Sequence, residues 1–142
     1  MDSRRGVESW FRPQQVVYLA TAEGIQPRVR PVSLIRYGER FYIVTGARGG
    51  VNAGKLKQIR VNPSVEYYLP LERDGSSGFI RGEGSAHIVD DPATRARIHG
   101  EVPWARDYFP SVDHPDYMLL EIVHTCYLFR EPGTTEIVRV EA

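Results

Sequence analysis

Residues 27–63 read PRVRPVSLIRYGERFYIVTGARGGVNAGKLKQIRVNP, and this stretch decides how the rest of the chain is interpreted. Its first half carries β-branched and aromatic residues with a two-residue period: Phe41, Ile43 and Thr45 share one strand face, Tyr42 and Val44 the other. Tyr37-Gly38-Glu39 supplies a hairpin turn between the two strands, and Ala22-Glu23-Gly24 supplies another turn just upstream. A glycine-rich loop follows, then a short helix with Leu56 and Ile59 on its buried stripe, stopped by Pro63. The segment is therefore a β-meander that feeds a loop and a helix, not a βαβ unit.

Charge is concentrated in the same place. Residues 26–60 hold Arg28, Arg30, Arg36, Arg40, Arg48, Lys55, Lys57 and Arg60 against the single acid Glu39, in a chain whose 18 basic and 18 acidic residues cancel. Local positive charge beside a helix N-terminus suits an anionic group such as a phosphate. Overall neutrality argues against nucleic acid as the partner. Gly49 to Lys55 satisfies G-x-x-x-x-G-K, but Leu56 stands where a nucleotide triphosphatase needs Ser or Thr, and a meander is not the sheet of a P-loop protein. What survives is a phosphate monoester site. Lys55 and Gln58 fall on one helix face. On the strand, Arg28 and Arg30 share a face, with Arg30 the better placed to meet a ligand and Arg28 open to a salt bridge.

Outward from this centre, the 142 residues suit one domain, 1–142, with room for a core. Strands are expected at 16–21, 28–36, 40–45, 65–69, 79–89, 117–125, 127–130 and, more weakly, 134–140. Gly82 and Gly84 inside one of them mark a bulge or a close backbone approach. Three short helices are expected: one near the N-terminus carrying Val7, Trp10 and Phe11, one capped by Asn52 and stopped by Pro63, and one from Asp91-Pro92 to about His99. Pro103 to Pro115 reads as irregular, its Trp104, Tyr108 and Phe109 suited to packing at a barrel end or to covering a ligand. Several strands are apolar on both faces, so a closed or nearly closed antiparallel barrel is expected, with a second subunit covering one face.

The single cysteine, Cys126, lies in an apolar run and reads as a buried structural thiol. His87, His99, His114 and His124 show no paired metal spacing, so no metal is expected. No apolar run is long enough to span a membrane and no secretory leader is visible; the expected location is the cytoplasm.

The runs P-R-V-R-P-V, Y-I-V-T-G, K-x-x-Q-I-x-x-N-P-S-V and I-R-G-E-G-S-A resemble the pyridoxamine 5′-phosphate oxidase-related, FMN-binding split-barrel superfamily over roughly residues 15–125. The resemblance implies a mainly β fold, a six-stranded antiparallel, Greek-key-like split barrel with a few short helices. It implies a homodimer with flavin sites at the interface, holding FMN and acting on a small-molecule redox substrate. Carried onto this chain, Arg30 contacts the flavin phosphate, and Pro31, Val32 and Ser33 pass along the isoalloxazine. Val44 and Thr45 lie beside the ribityl chain and phosphate, while Lys55 and Gln58 act from the helix. The chain departs from the true oxidase at Gly54 and Ile35, where that enzyme is basic, and lacks its C-terminal Trp and Arg. The resemblance thus points to a smaller FMN-binding flavoprotein, an oxidoreductase or electron carrier, and not to vitamin B6 oxidation. No general acid or base stands out. The alternatives are a non-catalytic FMN or haem store or sensor, and a reductase using deazaflavin F420.

Overall fold

Antiparallel pairing begins at Gln14 and dominates the computed structural model, which describes residues 3–46 and 54–142. The elements are α1 (Ser3–Glu8), β1 (Gln14–Glu23), β2 (Gln26–Tyr37), β3 (Arg40–Gly46), α2 (Gly54–Val61), β4 (Ser64–Arg73) and β5 (Ser76–Ile88). They continue with α3 (Pro92–Glu101), α4 (Pro103–Tyr108), β6 (Tyr117–Arg130) and β7 (Val138–Glu141). The strand order is β3-β2-β1-β4-β5-β6-β7, and β3 also pairs with β6. Strands β1 to β6 therefore close into a six-stranded ring, with β7 added on the far edge of β6. Two meanders, β1–β3 and β4–β6, build the ring, and the return between them through α2 makes it Greek-key-like.

Closure removes free sheet edges, but here it is uneven. β1 and β4 meet through only three residue pairs, from Tyr18↔Tyr68 to Ala20↔Glu66. β2 and β3 pair from Tyr37↔Arg40 as far as Ser33↔Val44 and then part; beyond that point β2 follows β1 while β3 follows β6. Pro31 stands just past the parting, and having no N–H it offers that missing ladder no donor.

The face assignment read from β3 holds. Phe41 and Ile43 join the inner core with Val17, Leu19, Leu34, Tyr67, Ile80 and Leu120. Tyr42 and Val44 join a second, outer core beneath α3 and α4, built on Ile98, Val102, Ala105 and Phe109. Both faces are apolar because both are covered. Leu56 and Ile59 of α2, and Val7 of α1, enter the inner core. α1 precedes the start of β1 and α2 follows the end of β3, two strands running the same way, so the helices plug opposite ends of the barrel.

Four helices occur among the described residues, where three were expected. Pro103 does not begin an irregular segment; it opens α4, whose Ala105 is fully buried. A proline at the first helical position costs no hydrogen bond, and one buried small side chain is enough to seat a six-residue turn. The α3 start is as expected, with Asp91 accepting from the Thr94 N–H at 3.0 Å. The β4–β5 turn is a tight two-residue hairpin. Asp74 and Gly75 both have positive φ, 53° and 80°, the conformation that an Asp-Gly two-residue hairpin favours.

Both strand glycines have a physical reason. A Cβ on Gly82 would run into the ring of Tyr67, its direct cross-strand partner. At Gly84 a Cβ would meet the Val123 carbonyl, and the β5–β6 register shifts between Glu83 and Gly84. Glu83 faces Cys126 while Gly84 faces His124, leaving Thr125 as the extra residue. The expected break between 125 and 127 is therefore a bulge inside one continuous strand, β6, and not a gap between two. Cys126 is buried as expected, its Sγ–H donating to Glu83 Oε2 at 3.0 Å. Burial and that carboxylate raise its thiol pKa to about 11. No helix among the described residues is long and apolar enough to cross a membrane.

Candidate functional site

The parting of β2 and β3 opens a groove of about 510 Å³. It is lined by Arg30, Pro31, Val32 and Ser33 from β2, by Val44, Thr45 and Gly46 from β3, and by Val16, Trp104 and Tyr108. All six strand residues expected at a cofactor site thus meet in one place. They come from both faces of the sheet. Arg30 and Val32 lie opposite the buried Leu19 and Val17 and take the inner face; Pro31, Ser33 and Val44 take the outer. Only a slit between two strands lets residues of opposite faces line one cleft.

Arg30 is the electrostatic centre of the groove. Its Nη1 atom is buried and has no hydrogen-bond partner among the described residues. Burial first, and the neighbouring Arg28 second, lower its pKa from the ordinary arginine value. Arg28 has the salt bridge that the strand pattern left open, its Nε lying 3.4 Å from Glu23 Oε2. A guanidinium that is partly desolvated, aimed into a groove and unpaired is arranged to receive an anion. Arg81, on β5 and away from the slit, is instead held by Glu66 at 2.6 Å.

Lys55 and Gln58 belong to α2, but their side chains, like the whole glycine loop 47–53, lie outside the described residues. Sequence reasoning gave Trp104 and Tyr108 an open choice between packing and ligand cover. Phe109 packs, 7% exposed, in the outer core. Trp104 is only partly buried against that core, and its Nε1–H donates to Gln14 Oε1 at 3.2 Å. Tyr108 is 71% exposed, its ring 6.2 Å from that of Trp104. The pair forms an aromatic wall on the groove's outer side. Val16 and Gly46 were missed; Val16 is identifiable only from its register opposite Ser33.

No protein-family model matches the chain, and no curated protein matches it in sequence. Solved structures do match in fold. A NimC/NimA family protein from Clostridium acetobutylicum superposes with a TM-score of 0.73 at 26% identity, over 98% of this chain and 91% of that one. General Stress Protein 26 from Bacillus anthracis gives 0.74 at 19% identity, over 99% and 100%. A C. acetobutylicum protein related to general stress protein 26, of the pyridoxinephosphate oxidase family, gives 0.73 at 17%, over 98% and 91%. A FAD-binding protein from Mesorhizobium loti (0.70, 15%, over 89% and 92%) and a haem-binding protein from Mycobacterium smegmatis (0.70, 14%, over 91% and 53%) share the same architecture. The chain has the split-barrel fold that these structures share.

Proposed function

We propose that this protein is an FMN-binding flavoprotein, a small cytoplasmic oxidoreductase or electron carrier that works as a homodimer. The observation that carries the reading is the buried, unpartnered Nη1 of Arg30 inside a groove walled by Pro31, Val32, Val44 and Trp104. A planar ring system with a phosphate tail satisfies both halves of that groove, the cation and the apolar walls. Arg30, with Thr45 and Lys55, would hold the phosphate; Pro31 to Ser33 would line the ring. Bound flavin supplies hydride or single-electron chemistry, and the protein supplies binding, orientation and exclusion of water.

The dimer rests on the outer face beside the groove. Val16 (54%), Tyr18 (44%) and Tyr68 (41%) are exposed there, with Tyr18 directly opposite both Pro31 and Tyr68 in the ladders. Tyr68 also stacks on Phe79, ring centroids 5.5 Å apart. An apolar patch that runs into the groove is a surface a second copy would cover, completing the site at the interface.

The haem alternative, suggested by the haem-binding structure of the same fold, asks for an axial histidine, and none of the described residues lining the groove is one. F420 makes the same phosphate demand as FMN, with a longer anionic tail. Mass spectrometry of the chromophore released on denaturation separates all three. The expected result is FMN, retained by the native chain and lost from the Arg30→Ala, Lys55→Ala double variant with the fold intact. Unchanged flavin affinity in that variant would overturn the site.

A further inference from the structure

The short helix α4 puts its two sides to different uses. Ala105 and its C-terminal cap residue Phe109, four apart, are buried in the outer core. Trp104 and Tyr108, also four apart and so on one side of the helix, line the groove. Both ends of the helix are pinned beside the slit. At one end the Trp104 Nε1–H donates to Gln14 Oε1 of β1 at 3.2 Å. At the other the Phe109 ring packs against Gly46, the last residue of β3, 3.4 Å from where a Cβ would stand. α4 is thus a fixed strap beside the parted strands, and the rings it presents to the groove are held there by its buried side.

The two rings differ in what they still offer. Trp104 packs on the outer core and its indole N–H is engaged, so it is a rigid wall. Tyr108 meets Trp104 edge-on and is 71% exposed, which leaves ring surface open to a ligand. A lone exposed aromatic needs no explanation, but a pair lining a groove does. The charges of α4 are turned elsewhere: Arg106 donates to the Gly100 carbonyl at 3.1 Å, and neither Arg106 nor Asp107 lines the groove. Arg30 is the only charged side chain among the described residues that do, and in the flavin reading it is committed to the phosphate. The surface left at Tyr108 is aromatic and uncharged, with a hydroxyl that can donate.

We infer that the reactant taken by this groove is a flat, uncharged ring bearing carbonyl oxygens, a quinone, and that Tyr108 selects it. The quinone ring stacks on Tyr108 and one carbonyl accepts from the Tyr108 hydroxyl. A charged reactant would be desolvated against an aromatic wall that offers it no counter-charge. This substrate class rests on the flavin reading. Reduction of a quinone to its hydroquinone takes two electrons and two protons. The electron pair arrives with one proton as hydride from reduced flavin, and water supplies the other proton.

Titration of the oxidised, flavin-loaded full chain with naphthoquinone, followed by the difference absorption of the bound flavin, tests this without turnover. Wild type is expected to bind it, and to bind the anionic naphthoquinone sulfonate more weakly. Tyr108→Ala is expected to weaken naphthoquinone binding roughly three- to tenfold, the worth of one aromatic contact, and Tyr108→Phe to weaken it less. Both variants are expected to keep their flavin and their melting temperature, because Tyr108 is exposed and the buried side of α4 is unchanged. A wild type that retains no flavin would overturn the flavin reading and this substrate class with it. With flavin retained by wild type, the substrate class alone falls on any of four results: no naphthoquinone binding, a sulfonate that binds as tightly, wild-type affinity in Tyr108→Ala, or loss of flavin from that variant.

Discussion

Arg30 lies directly across the β1–β2 ladder from Leu19, so a guanidinium with a buried nitrogen that no described residue partners shares the inner sheet face with a fully buried leucine. A position that looks like core holds a charge. Replacing a partly buried, unsatisfied cation by a flexible apolar side chain removes a desolvation cost. Arg30→Met is therefore expected to leave the flavin-free protein as stable, or more stable by about 1 kcal/mol, in urea denaturation, while flavin retention falls. A marked loss of stability in the flavin-free variant would mean that Arg30 is a structural residue.

Tyr18 and Tyr68 face each other across the three-pair β1–β4 seam on the exposed side of the barrel. Tyr18→Glu places a charge at the centre of the proposed interface. Light scattering is expected to show a monomer in place of a dimer, with weakened flavin binding, because Val16 and Pro31 belong to both the patch and the groove. A dimer that persists would move the interface to another face.

His124 provides the pH dependence. Burial lowers its pKa to about 4 from the ordinary 6.5, so the unfolded chain takes up this proton more readily than the folded one. Its contribution is complete above pH 6.5, falls as the pH drops from there toward 4, and levels off below. The loss totals about 3 kcal/mol at most. Urea midpoints measured between pH 7 and pH 4.5 are expected to decline in wild type and to decline less steeply in His124→Gln. Parallel profiles would remove His124 as the titrating group.

Gly82 lies under the Tyr67 ring, and a methyl group there has nowhere to go. Gly82→Ala is expected to cost about 2–3 kcal/mol by overpacking. In a Tyr67→Ala background the same change is expected to cost much less, because the clash is with that ring. Equal costs in the two backgrounds would assign the penalty to the backbone.

Much of this architecture was legible along the chain because it depends on local periods. The two-residue alternation in β3, the Asp91-Pro92 helix start and the strand glycines all report short-range sterics that each residue carries with it. The elements misjudged were those set by distant contacts. α4 exists because Ala105 finds a buried seat on the outer core, and β6 runs unbroken because β5 absorbs its bulge at Glu83 and Gly84. Nothing within residues 103–108 or 124–127 encodes those partners.

For the candidate site the division is similar. By itself the sequence singled out Arg30 through alternation and local charge, and its resemblance to a known superfamily nominated Pro31 to Ser33, Val44 and Thr45 beside it. Only the tertiary structure decided how they meet. The early parting of β2 from β3 lets both sheet faces line one groove, and the α4 aromatic wall reaches it from far along the chain. It alone also set apart Arg28, tied to Glu23, from Arg30, left without a partner, although the two are equivalent in the alternation. Alternation specifies a face, whereas burial and pairing depend on what the rest of the chain brings to that face.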